Sequence, residues 1–200
     1  MKKDSIREIL IIGLLIFLSA LCRILTNQAG LWNFNAIGAA ALFGGIVLKD
    51  KRLAYIVPLL ALFLSDVFLQ LFTSIQTLNR DYLGQLFFVY GAFMLTAWIG
   101  TRIRKVNNIT LLLSSIGTGV LFFLITNLGT FLTTDMYPKT GAGLLACYAA
   151  GIPFYKEGDV FSSFALNGLM GNVFFTVVLF GVWAGLKSMV LMPKRQTAIS

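Results

Sequence analysis

These 200 residues contain no histidine. That absence excludes imidazole metal sites and every Ser-His or Cys-His catalytic arrangement. Cysteine is nearly as scarce: Cys22 and Cys147 allow one intramolecular pairing. Each reads more simply as a small buried apolar residue, because free cysteine packs well inside proteins. No phosphate-binding glycine loop, dinucleotide fingerprint, paired metal-binding carboxylates or nucleophile beside a base occurs in the sequence. The expectation is a protein that is not an enzyme, with no catalytic residues, no cofactor and no metal; any use of ATP falls to another chain. No linker, low-complexity tract or internal repeat divides residues 1–200, which read as one domain.

Apolar residues are what the chain has in excess, at 58% with 18 Phe. Several runs approach the roughly 20 residues that cross a bilayer core. The predicted class is all-α, a polytopic membrane protein with six transmembrane spans at about 6–25, 34–48, 53–73, 82–101, 109–131 and 161–190. The second is short and rich in Gly and Ala, a thin tilted or re-entrant helix. Gly141 to Phe154 is apolar but too short to cross, and Pro153 closes it. It predicts an interfacial or re-entrant helix near 141–154 lying over the bundle. Ser19-Ala20-Leu21-Cys22 superficially resembles a lipoprotein cleavage site, but Leu21 stands where a small residue is wanted. The N-terminal run therefore reads as a first membrane helix.

A net charge of +8 would suggest nucleic acid if it formed a stripe. Here the bases sit in loops. Lys2, Lys3, Arg7, Lys49, Lys51, Arg52, Arg102, Arg104, Lys105, Lys187, Lys194 and Arg195 make twelve of the sixteen, and all fall on one side of the six-span topology. The positive-inside rule then predicts cytoplasmic N- and C-termini, with a lipid bilayer and no nucleic acid as partner. The opposite face carries the longer connections, with Trp32, Asp135, Tyr137, Glu157 and Asp159.

Within the spans the informative residues are polar. Asp66, Gln70 and Thr73 recur at helical spacing along 53–72, and a carboxylate inside a span is expected to face protein or a wet cavity. Asp66 lies roughly 20 Å up a core of about 30 Å. Arg23, Asn35, Tyr90, Asn127, Asn167 and Asn172 fall toward the same level. Two arrangements satisfy buried polar groups. They line an outward-facing pocket for a small polar solute, with Trp32 and Tyr137 in its lid. Alternatively they bond one another, Asp66 pairing with Arg23 or an amide. The candidate ligand-binding set is thus Asp66, Gln70, Asn127, Asn167, Asn172, Arg23, Asn35, Tyr90, Trp32 and Tyr137. Ala40/Gly44 and Ala41/Gly45 stand at the spacing that lets helices approach closely.

The runs Asn33 to Gly45, Pro58 to Asp66, Asn127-Leu128-Gly129 and Met136 to Leu144 resemble a family of small, uncharacterised bacterial membrane proteins over nearly the whole chain. The resemblance implies a bacterial cytoplasmic (inner) membrane and carries no activity. More distantly, six helices, an early Gly/Ala-rich segment and an acidic residue late in helix three are similar to S components of energy-coupling-factor transporters. That likeness implies a vitamin-like or metal-related solute bound near the outer face, and a separate ATP-hydrolysing transporter module as partner. The Ala-xxx-Ala pattern by which S components often meet that partner is missing from Ile9 to Cys22. The expected function is solute binding or uptake, with a non-transporting membrane scaffold or accessory subunit as the alternative.

Overall fold

A computed structural model describes residues 3–74, 80–152 and 164–191. Among these residues there are seven α-helices and no strand: α1 (Lys3–Gln28), α2 (Ile37–Val47), α3 (Leu53–Phe72), α4 (Arg80–Arg102), α5 (Asn108–Thr133), α6 (Gly141–Gly151) and α7 (Phe164–Leu191). Pro153, Glu157, Asp159 and the beginning of the expected last span at 161 lie outside the described residues. Five helices, α1, α3, α4, α5 and α7, contain stretches long and apolar enough to cross a membrane. Leu10, Phe17, Phe87, Leu113 and Val177 on their outer faces are each more than 60% exposed. Such a girdle suits lipid and not water.

The expected second span, 34–48, is shorter in the structure. Asn35 is outside the helix, its Oδ1 accepting the Ile37 N–H at 3.0 Å in a local turn. At the other end Leu48 is extended, and the Lys51 ammonium donates to the Gly45 and Ile46 carbonyls at 2.8 and 3.2 Å. Side chains thus close α2 at both ends, satisfying backbone groups that a helix terminus leaves open. Its eleven residues extend about 16 Å, well short of a bilayer core.

Nine of those eleven residues are buried. A helix apolar on every side belongs inside, and α2 is the post against which α1, α3, α4, α5 and α7 all pack. Its glycines permit the closest approach. A Cβ on Gly45 would fall 2.5 Å from the Ala97 carbonyl oxygen and 2.8 Å from Gly100 Cα; one on Gly100 would fall 2.7 Å from the Leu42 oxygen. The α2 and α4 backbones therefore touch with no side chain between them. Phe43 packs edge-on against Phe180 and Trp183, with centroids 5.0 and 5.8 Å away.

These contacts also fix direction. Gly38 faces Phe93 and Asn172, Gly45 faces Gly100, and Phe43 faces Phe180, so α2, α4 and α7 run parallel. One end of the bundle consequently gathers Lys49, Lys51, Arg52, Arg102, Arg104, Lys105 and Lys187. The polar side chains singled out by sequence gather toward the other.

Candidate functional site

Three polar groupings occupy that second end. The first is an ion pair. Arg23 on α1 places Nη2 2.6 Å from Asp66 Oδ1 and donates from Nη1 to Ser65 Oγ at 2.6 Å. The Tyr90 hydroxyl on α4 donates to Asp66 Oδ2 at 3.2 Å. The carboxylate is fully buried, so α1, α3 and α4 are tied through one charged group. Gln70 is half-buried one turn further along α3, and the Thr73 hydroxyl donates to the Leu69 carbonyl.

The second grouping belongs to α7. Asn167 Nδ2 donates to the Trp32 carbonyl at 3.0 Å, holding the α1–α2 connection. Asn172 Nδ2 donates to the Ser115 carbonyl and Thr118 Oγ1 at 2.7 and 2.9 Å. Its Oδ1 is buried without a hydrogen-bond partner among the described residues, directly over Gly38, where a Cβ would stand 2.6 Å from it. A notch of about 20 Å³ opens beside Asn172, bounded by Asn35, Gly38, Thr96, Thr118 and Phe122. It has room for about one water.

The third is a cavity of about 750 Å³ between α4, α5, α6 and the turn after α5. Gln85 and Val89 come from α4, Phe122, Thr126, Asn127, Thr130 and Thr133 from α5, Asp135, Met136 and Tyr137 from the turn, and Cys147 and Gly151 from α6. Gln85 Nε2 donates to Thr130 Oγ1 at 2.8 Å, and Asn127 Nδ2 to the Phe123 carbonyl at 2.9 Å.

The cover over α5 is built by Pro138 to Gly143. The Lys139 ammonium donates to the Phe131 and Thr134 carbonyls, capping the C-terminus of α5. Thr140 Oγ1 caps α6 by accepting the Gly143 N–H at 3.1 Å. Gly143 lies so close to the Pro138 carbonyl that no Cβ fits there. Further along, the Cys147 thiol donates to the Asn127 carbonyl at 3.3 Å and the Tyr148 hydroxyl to the Leu124 carbonyl at 2.9 Å. The short helix thus lies on α5, over the cavity.

Cys22 and Cys147 are both free thiols. Burial pushes the Cys147 thiol above its ordinary range, opposed by a backbone hydrogen bond with Phe131 and by the Lys139 charge. Thiolate is the reactive form. In a Cys22→Ala background, maleimide labelling of Cys147 is therefore expected to be slow at neutral pH and still rising where an ordinary thiol has levelled off. A rate matching that of a free thiol at pH 7 contradicts this.

Of the residues chosen from sequence, Asn127 and Tyr137 line the cavity, while Asn35 and Asn172 line the notch. Asp66, Gln70, Arg23, Tyr90, Asn167 and Trp32 line neither. Sequence reasoning passed over Gln85, which shares a helical stripe with Val89, Phe93 and Thr96. It also missed the wall role of Thr133, Thr134 and Asp135. The stripe was a usable signal.

Apolar spans facing outward, a small-residue post inside and polar side chains turned inward define a multi-pass helical membrane protein. More specifically, the chain belongs to DUF6580, a family of unknown function whose sequence model matches residues 3–195. Neither the curated proteins nor the solved structures provide a match.

Proposed function

We propose that this protein binds a small solute in the cavity between α4, α5 and α6, as a binding or uptake component of a bacterial cytoplasmic membrane. The supporting observation is the cavity itself. Its volume of about 750 Å³ falls in the range of small-molecule sites, roughly 300–1,000 Å³, and it mixes apolar walls with a few placed polar groups. The basic residues gathered at the opposite end support cytoplasmic termini and an outward-facing site. Movement against a gradient would draw on a separate ATP-hydrolysing chain.

In this reading Asp66 is a structural anchor, and Gln85, Asn127 and Thr130 contact the solute. A thermal-shift screen in mild detergent against vitamins, amino acids, nucleobases and amines tests it. Binding at hundredfold excess over Kd stabilises by about 2.7 kcal/mol. A selective hit should disappear in Gln85→Leu and Asn127→Leu and persist in Tyr90→Phe. The reverse pattern would move the site to the carboxylate.

The Arg23–Asp66 pair and the engaged Asn167 and Asn172 amides favour a second reading, a scaffold or accessory subunit whose polar residues only join helices. Silence across the whole library would select it.

A further inference from the structure

Resting on the solute-site reading, the polarity of the wall narrows what the solute is. The hydroxyls of Thr126, Thr130, Thr133 and Thr134 lie 2.9, 3.2, 2.8 and 2.8 Å from the carbonyls four residues earlier. Each hydroxyl proton is directed into α5, and each oxygen keeps lone pairs for the cavity. Thr130 already receives one N–H from Gln85. Asp135 is the one charged side chain among the described lining residues, and it has no Lys or Arg partner among them. The Lys139 ammonium is not among the lining residues; it is engaged by the Phe131 and Thr134 carbonyls that end α5.

Against these acceptors the side chains of the wall offer fewer donors: the second N–H of Gln85 and of Asn127, the Asn33 amide and the Tyr137 hydroxyl.

The notch repeats the pattern. Both N–H groups of Asn172 are engaged, its Oδ1 has no partner among the described residues, and the residue is 5% exposed. Thr96 and Thr118 direct their hydroxyl protons to the Ala92 and Ser114 carbonyls at 3.0 and 2.8 Å. Asn33 and Phe122 border both spaces, so a second acceptor-rich recess adjoins the cavity.

A carboxylate or phosphate entering such a site would meet lone pairs and a like charge. An ammonium brings the N–H donors the wall lacks and a charge opposite to that of Asp135. We infer that the cavity is selective for an organic amine bound as its ammonium, its N–H groups received by the threonine oxygens of α5 and the Asp135 carboxylate.

The test uses the full-length protein in nonionic detergent and a calorimetric panel of primary amines, alcohols and carboxylates built on shared carbon skeletons. Amines are expected to bind at least about tenfold more tightly than their matched carboxylates. Asp135→Asn, at an exposed turn position, should weaken amine binding about fivefold and leave alcohol binding unchanged, and Asp135→Glu should restore it. Carboxylates binding as well as amines, or an amine affinity indifferent to Asp135→Asn, would overturn the inference while leaving a solute site in place. Absence of binding in all three arms would overturn the solute-site reading and this inference with it.

Discussion

Gly45→Ala is expected to lower stability in detergent by about 2–3 kcal/mol, although alanine is the better helix former by about 1 kcal/mol. The sign is decided by what the new methyl meets. Ala97 O and Gly100 Cα, 2.5 and 2.8 Å from that position, are backbone atoms and cannot rotate aside. The α2–α4 seam must open, and overpacking of this kind costs typically 1–3 kcal/mol or more. For a chain of this size the loss corresponds to a melting temperature lower by about 5–10 °C. Gly100→Ala attacks the same seam from the other side, so the double variant should lose less than the sum of the two. Gly117→Ala is the control, because nothing lies within 4 Å of its Cβ position; it should be neutral or slightly stabilising. Equal melting temperatures for Gly45→Ala and Gly117→Ala would remove the seam from the explanation of the fold.

The second large effect concerns the buried ion pair. Arg23→Leu or Asp66→Leu alone leaves one charge uncompensated inside the bundle, and is expected to cost about 3–5 kcal/mol. Removing both should recover most of that loss, since an apolar pair pays no desolvation of charge. Tyr90→Phe, which deletes one hydrogen bond to the carboxylate, is expected to cost about 1.5–3 kcal/mol. A double-mutant cycle on thermal or denaturant unfolding provides the check. Additive single-variant losses would mean that Arg23 and Asp66 do not act as a pair.

The long helices were legible because an apolar run bounded by Lys or Arg has few alternatives. The sequence-based spans 53–73, 82–101 and 109–131 lie within a residue or two of α3, α4 and α5. The second helix was harder. The apolar run continues through Phe34 and Leu48, whereas its ends are set by the Asn35 side chain and the reach of Lys51, which hydropathy does not register. Convergence of polar residues at one end was readable from spacing and direction. Their partners were not, since the choice between Arg23 and a solute for Asp66 depends on how α1 and α3 are rotated about their axes. Gln85 escaped notice because it lies one turn from Tyr82 near the start of its helix and resembles an interfacial residue.

The central post has a consequence for biosynthesis. At eleven residues, α2 is too short to settle in lipid as an independent helix, so it depends on neighbours to shelter its ends and faces. It is made second, yet Phe43 waits for Phe180 and Trp183, and Gly38 for Asn172. The middle of the bundle therefore stays open on the α7 side until α7 has left the ribosome, and a chain truncated before α7 never acquires a closed interior.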